Sequence, residues 1–364
     1  EAITGLDLVE WQLRVASGEP LPLRQADLRI HGHAIEARIC AENPDKQFLP
    51  ATGTLAVYRK PAHTAFERGT VRVDDGVRQG DTISPYYDSM IAKLIVHGDT
   101  REQALARLDA ALAETHIVGL ATNVQFLRHV VRSDSFAQAR LDTALIQREA
   151  AVLFKQETVG LPLAAAAALV QTLREEAASV GHDPFSRRDG WRSHGDGVRR
   201  LGFEFAGEPV SAWLRHAHDG SLHLTVGEGE AAVAGPLVWR AAGDGLELEF
   251  AGQRQRLRVD WQGETAHVFC ARGATQIVEV DLLAHAGEGQ SEGGRLTAPM
   301  PGKVVSFAVK AGDSVRKGQA LAVLEAMKME HTIAAPADGT VAELLYAPGD
   351  QVSEGAELLK LATG

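Results

Sequence analysis

Apolar positions change their period several times along the chain. Near the start, Leu6, Val9, Leu13 and Ala16 recur at helical spacing. Thr4-Gly-Leu-Asp7 has the form of a capping box with Asp in place of Glu, so a helix is predicted from there to near Gly18. His33 to Glu42 alternates instead. Ile35, Ala37, Ile39 and Ala41 share one face, and Glu36, Arg38 and Cys40 share the other, which predicts a half-buried strand. Tyr87 to Val96 reads as a second strand. Thr100 to Glu114 reads as an amphipathic helix with Leu105, Leu108 and Leu112 inward, and Ala121 to Val131 as another helix.

The pattern changes after Glu149. Leu161 to Ser179 holds Ala164-Ala-Ala-Ala-Ala168, then Leu169, Val170 and Leu173. A helix so apolar in its first half is expected to be buried on several sides. From Val198 to Leu283, eight short alternating runs stand between Gly-containing turn signals such as Asp219-Gly220 and Gln262-Gly263. They predict an antiparallel meander closing as a barrel, with the preceding helix in its lumen. His285 to Arg295, rich in Gly and polar residues, reads as a flexible linker.

The last stretch repeats itself at a constant offset. Ala298, Pro299, Gly302, Val304, Gly312, Asp313, Val315, Gly318, Leu321 and Leu324 each recur as the same residue 37 positions on. Two similar strand sets in register predict a small two-fold-like β-sandwich. The junction of the two halves is Ala326-Met-Lys-Met329, which puts Lys328 on the hairpin turn joining them. A lone turn lysine is ordinarily a solvated charge. Here two soft thioether side chains flank it at the most exposed end of the unit, as suits a surface read by several partners in turn.

Composition narrows the classes. With 45% apolar and 23% charged residues, every unit can bury a core, and the net charge of −11 lacks the basic face that nucleic acid or an anionic membrane requires. No run is long and apolar enough to span a bilayer. The two cysteines, Cys40 and Cys270, lack metal-ligand spacing, and a reducing, cytoplasmic compartment is expected. His194, His216 and His218, the last two at i, i+2 on a strand, are expected to be surface histidines, with no metal site.

Glu325-Ala-Met-Lys-Met329, with Pro299-Met-Pro-Gly302 upstream and Ala335-Pro336 and Asp338-Gly339 downstream, resembles the biotin carboxyl carrier domain of biotin-dependent acyl-CoA carboxylase alpha subunits. Lipoyl carrier domains share the repeat but place Asp before the lysine and Ala after it. HAIEARICAEN, FLPATGTL, PYYDSMIAKLIVHG and GLATNVQFL resemble the C-terminal part of biotin carboxylase, an ATP-grasp enzyme. The middle region resembles, less sharply, the helix-in-barrel domain that docks such subunits onto a carboxyltransferase. The resemblance thus implies a multidomain α+β chain. Residues 1–150 are the C-terminal region of biotin carboxylase, 151–284 a helix plus antiparallel β-barrel docking (BT) domain, 285–296 a linker, and 297–364 a flattened β-sandwich carrier of the biotinyl/lipoyl type.

That resemblance also assigns roles. Lys328 is expected to carry biotin, attached by a biotin–protein ligase, with Met327 and Met329 beside it. Arg38, in Glu36-Ala-Arg-Ile-Cys-Ala-Glu42, is expected to lie over bicarbonate and the biotin ureido ring; from the strand pattern alone, an ion pair with Glu36 is the simpler expectation. Thr143 is expected either on a wall of the nucleotide site or as a plain helix cap. Glu1 looks like the residue closing the family's catalytic segment, so the chain is expected to be part of a longer polypeptide whose upstream half binds ATP with Mg²⁺ or Mn²⁺. The expected partner is a carboxyltransferase beta subunit in a hetero-oligomer, which holds the acyl-CoA. His331 and Asp189-Gly-Trp191 incline the substrate towards 3-methylcrotonyl-CoA, with propionyl-CoA and geranyl-CoA as alternatives. A non-enzymatic carrier or adaptor of the lipoyl type is the remaining reading.

Overall fold

The computed structural model describes residues 1–154, 159–181, 190, 192–281, 295–326 and 329–362. Met327, Lys328, Asp189, Trp191 and nearly all of the predicted linker lie outside these residues.

The first helix, α1 (Leu8–Ala16), is capped by Asp7 rather than Thr4: Asp7 Oδ1 accepts from the amides of Val9 and Glu10 at 2.9 and 3.0 Å. Gly5, at φ +77°, turns the chain between the two residues, so Thr4 stands too early to cap. None of the α1 side chains is buried, and Leu8, Val9 and Leu13 are exposed despite their spacing.

Strands β1 (His33–Cys40), β2 (Val71–Asp75) and β3 (Met90–Gly98) form an antiparallel sheet in the order β1-β3-β2. Alternation works as the sequence predicts, for Ala37, Ile39 and Ala41 enter the core while Arg38 points to solvent. Helices α2 (Arg101–Ala113) and α3 (Val124–Arg132) cover the apolar face, with Leu105, Leu108 and Leu112 buried. β3 starts three residues later than predicted. Asp88 Oδ1 accepts from the Met90 amide at 3.0 Å, and this local turn leaves Tyr86 and Tyr87 in the loop before the strand.

Helix α4 (Leu161–Ala178) is buried on all sides from Leu163 to Val170. Around it curls one antiparallel sheet of nine strands: β4 (Gly197–Phe205), β5 (Glu208–His216), β6 (Leu222–Val226), β7 (Val233–Pro236), β8 (Val238–Ala242), β9 (Gly245–Phe250), β10 (Gln253–Gln262), β11 (Thr265–Cys270) and β12 (Gly273–Glu279). Its order, β7-β6-β5-β4-β12-β11-β10-β9-β8, leaves the consecutive strands β7 and β8 as the two edges, so the barrel is nearly closed. The pattern predicts eight strands. The ninth, β7, ends in Gly235-Pro236 and sits on an edge, where Pro disturbs least.

The barrel abuts the first unit along one seam. Phe269 on the outer face of β11 stacks on His116, with ring centroids 4.3 Å apart. Beside it, Asp109 holds the nearly buried Arg128 at 3.1 Å and Arg132 at 2.8 Å, and both arginines donate to the carbonyl of Ala271 at the β11–β12 turn. Across the seam Arg59 reaches Asp244 at 3.2 Å and Asp260 at 3.7 Å, and Arg258 pairs with the same two carboxylates.

The last unit is a sandwich of two four-stranded antiparallel sheets. One contains β13 (Arg295–Thr297), β15 (Ser314–Val315), β18 (Gly339–Leu344) and β20 (Glu357–Ala362). The other contains β14 (Gly302–Phe307), β16 (Ala320–Ala326), β17 (Met329–Ala334) and β19 (Gln351–Val352). The sequence repeat is also a structural one. Strand starts at 302, 314 and 320 recur at 339, 351 and 357, and the irregularity at Val304/Ser306 recurs at Val341/Glu343. The halves bond reciprocally: Gly312 N donates to Val341 O and Gly349 N to Val304 O, both at 2.7 Å. Gly312 and Gly349 share positive φ, +94° and +102°, which explains why the repeat keeps glycine there.

Candidate functional site

Arg38 sits in the middle of β1, opposite Lys93 of β3. Its side chain is 66% exposed, and Nε lies 3.4 Å from Glu36 Oε1 on the same face. The ion pair expected from the strand pattern is therefore present, and the guanidinium keeps its other N–H groups toward solvent, where an anion can approach. Next on that face, the Cys40 thiol is pushed up to about 11, first by burial and then by the Glu42 carboxylate, so it stays protonated and is no nucleophile near neutral pH.

A residue that the sequence reading passed over fixes this strand. Asn123, at the start of α3, is buried. Its Oδ1 accepts from Cys40 N at 2.9 Å and its Nδ2 donates to Arg38 O at 3.0 Å, while its own amide donates to Cys40 O at 3.2 Å. Thr-Asn-Val before an apolar stretch reads as a helix cap, yet this side chain makes no cap bond. It spends its polar groups on the backbone that carries Arg38. At the far end of the strand, Ala41 N donates to Ser89 O at 2.8 Å and Ser89 Oγ to Glu42 Oε1 at 2.6 Å.

On the carrier sandwich, Lys303 pairs with Glu325 and Ala326 with Met329. Only Met327 and Lys328 stand between the last paired residues, so the predicted modification site falls at the hairpin end, outside the described residues. His331 opposes Leu324; burial lowers its pKa, and its Nε2 has no hydrogen-bond partner among the described residues. Thr143 lies exposed in a turn, and it is Asp142 that accepts from the Ala144 amide at 3.0 Å and pairs with Arg148 at 2.7 Å. Thr143, Arg38 and the carrier hairpin belong to separate parts of the structure, and nothing brings them into one cavity among the described residues.

Comparisons with known proteins follow the same division. Residues 36–148 match the biotin carboxylase C-terminal domain, 160–282 the methylcrotonyl-CoA carboxylase alpha-subunit BT domain, and 294–361 the biotin-requiring enzyme family. The mitochondrial methylcrotonoyl-CoA carboxylase subunit alpha of Dictyostelium discoideum is 36% identical over 95% of this chain and 51% of its own length. That of Mus musculus is 34% identical over 99% of this chain and 51% of its own length. The mitochondrial propionyl-CoA carboxylase alpha chain of Homo sapiens is 33% identical over 99% and 50%. The chain thus spans about half the length of the relatives it matches. Among the described residues no helix is long and apolar enough to cross a membrane. In sequence order, this chain matches a biotin carboxylase C-terminal domain, a BT domain and a biotinyl domain, and it is similar to methylcrotonoyl-CoA carboxylase alpha subunits over about half of their length.

Proposed function

We propose that this chain is the carrier-bearing part of an acyl-CoA carboxylase alpha subunit acting on 3-methylcrotonyl-CoA, with domain limits at 1–150, 151–284 and 297–364 around a linker. The observation that carries this reading is the pseudo-two-fold sandwich whose hairpin pairs Ala326 with Met329, leaving a lysine between methionines at the turn. The hairpin fits a covalent biotin. Gly302 packs so closely beneath it that a Cβ there would lie 2.7 Å from Glu325 O, so the base of the hairpin is held by close backbone packing. Biotin, once attached, supplies a ureido nitrogen that accepts a carboxyl group and later gives it up.

Arg38, oriented by Glu36 and by the Asn123 clamp beneath it, would hold the bicarbonate anion and offer its positive charge to the ureido oxygen when biotin is bound. Among the described residues no group of three His, Cys, Asp or Glu side chains is placed to hold a metal ion. We therefore assign ATP and its Mg²⁺ or Mn²⁺ to the half of the longer relatives that this chain does not match, with Thr143 on an adjoining wall. The barrel docks the carboxyltransferase beta subunit that binds the acyl-CoA, giving a hetero-oligomer, and we place the assembly in the cytoplasm. Propionyl-CoA is the second reading, supported by the human relative at 33% identity.

The test is co-expression with a biotin–protein ligase. The parent chain binds streptavidin, and Lys328→Arg abolishes that signal with an unchanged circular dichroism spectrum, since the exchange keeps the charge and nearly the same side-chain length. Biotin on the Lys328→Arg protein would refute the assignment.

A further inference from the structure

The loop between Ile83 and Met90 carries two of the most exposed aromatic residues among those described, Tyr86 and Tyr87, at 70% and 77% exposure. It is not a loose loop. Thr82-Ile83 pairs with Gly53-Thr54 at one end, and at the other Ser89 is bonded to Ala41 and Glu42 on the continuation of the strand that bears Arg38. Exposed aromatic side chains on a braced loop form a low-entropy contact surface, because their rings bury a large area while few torsions are lost.

Against this loop sits the hairpin end of the carrier sandwich. A cleft of about 250 Å³ is lined on one side by Pro85 and Tyr86, and on the other by residues including Gly302, Lys303, Glu325 and Ala326. These are the residues that hold the base of the Met327-Lys328 turn, since Lys303 pairs with Glu325 and Ala326 with Met329. The opposite end of the same strand pair, where Phe307 meets Ala322 and the chain runs on to Lys310, does not line the cleft.

We propose that the Pro85–Tyr86 loop is the landing surface for the carrier domain in the carboxyl-loading step, with Tyr86 as its aromatic anchor. The inference rests on the carrier reading above and adds to it where the carrier docks. Docked here, the lysine-bearing end of the sandwich meets the loop that leads to Met90, the residue paired with Cys40 two positions beyond Arg38. Tyr86 is then a positioning residue. It selects the hairpin end over the other end of the sandwich and touches no reacting atom.

The test uses the whole chain with Cys40 and Cys270 replaced by alanine and a short bis-maleimide crosslinker. The pair Pro85→Cys with Lys303→Cys is expected to couple at least about tenfold faster than Pro85→Cys with Lys310→Cys, because an interface anchor favours one orientation. Adding Tyr86→Ala brings the first rate down to the second, and Tyr86→Phe, which keeps the ring, restores it. Equal rates for the two pairs, or no response to Tyr86→Ala, overturn the proposal. Streptavidin binding of the same samples separates the two readings. A chain that carries biotin without selective coupling refutes the docking surface alone, whereas one that couples selectively but never takes biotin refutes the carrier reading alone.

Discussion

Arg38 was legible because a strand's two faces differ in sequence, and the alternation of Ile35, Ala37 and Ile39 against Glu36 and Arg38 put its guanidinium outside. Asn123 was not legible. Its partners, Arg38 and Cys40, are 85 and 83 residues away, and a side chain bonding to a distant backbone leaves no local pattern. The clamp makes a specific prediction. Asn123→Ala orphans the Cys40 amide and the Arg38 carbonyl from their side-chain partner in a largely buried place, at a cost of about 2 kcal/mol. Hydrogen exchange at the Cys40 amide should then accelerate about thirtyfold, the equilibrium equivalent of that energy, while amides of the carrier sandwich stay unchanged. Unaltered exchange at Cys40 would mean that the backbone is held by the sheet alone. Met327 and Lys328 illustrate the opposite situation: the motif names them without any help from geometry.

At the scale of elements, period predicts burial only where a neighbour exists to receive the apolar face. α1 has helical spacing and a sound cap, yet Leu8, Val9 and Leu13 remain exposed among the described residues. α4 is the converse, for its run of alanines has little periodicity because the barrel surrounds it. Small side chains there let the helix approach the strands closely, and Leu169 supplies bulk at full burial. Leu169→Ala should destabilise the barrel by about 2–5 kcal/mol through lost burial and the cavity left behind. Urea titration followed by tryptophan fluorescence reports this unit, because Trp213, Trp239 and Trp261 all lie on its strands. A midpoint shift worth less than about 1 kcal/mol would show that the lumen collapses around the change. The carrier repeat was the most legible element of all, since ten identities at one offset encode the same turns and strand ends twice.

Across the whole molecule, the seam between barrel and first unit had no signature in the sequence, since no periodicity marks an outward face that another domain will cover. β11 shows the result: Ala266, Val268 and Cys270 enter the lumen, while His267 and Phe269 are buried from outside. Burial lowers the pKa of His267, opposed weakly by Asp260. Burial likewise lowers that of His116, with the Ala113 carbonyl opposing and Arg258 adding to the shift. His267 Nε2 has no partner among the described residues, and His267 lines a cleft of about 670 Å³ between the two units. Both imidazoles are therefore favoured neutral when folded. In the unfolded chain they take up protons near the ordinary value of about 6.5, so the unfolded state binds more protons below that pH. Stability is fully present above about pH 6.5 and is lost as pH falls through the depressed folded values. His267→Leu removes a titrating group and an unpaired polar atom together, and should be within about 1 kcal/mol of the parent at neutral pH. Below pH 6.5 its stability should fall less steeply, by at most one proton's worth of slope, about 1.4 kcal/mol per pH unit. Denaturant titrations of parent and variant between pH 5 and 7.5 decide the matter, and parallel acid limbs would show that His267 takes up its proton alike in both states or that the seam opens before it titrates.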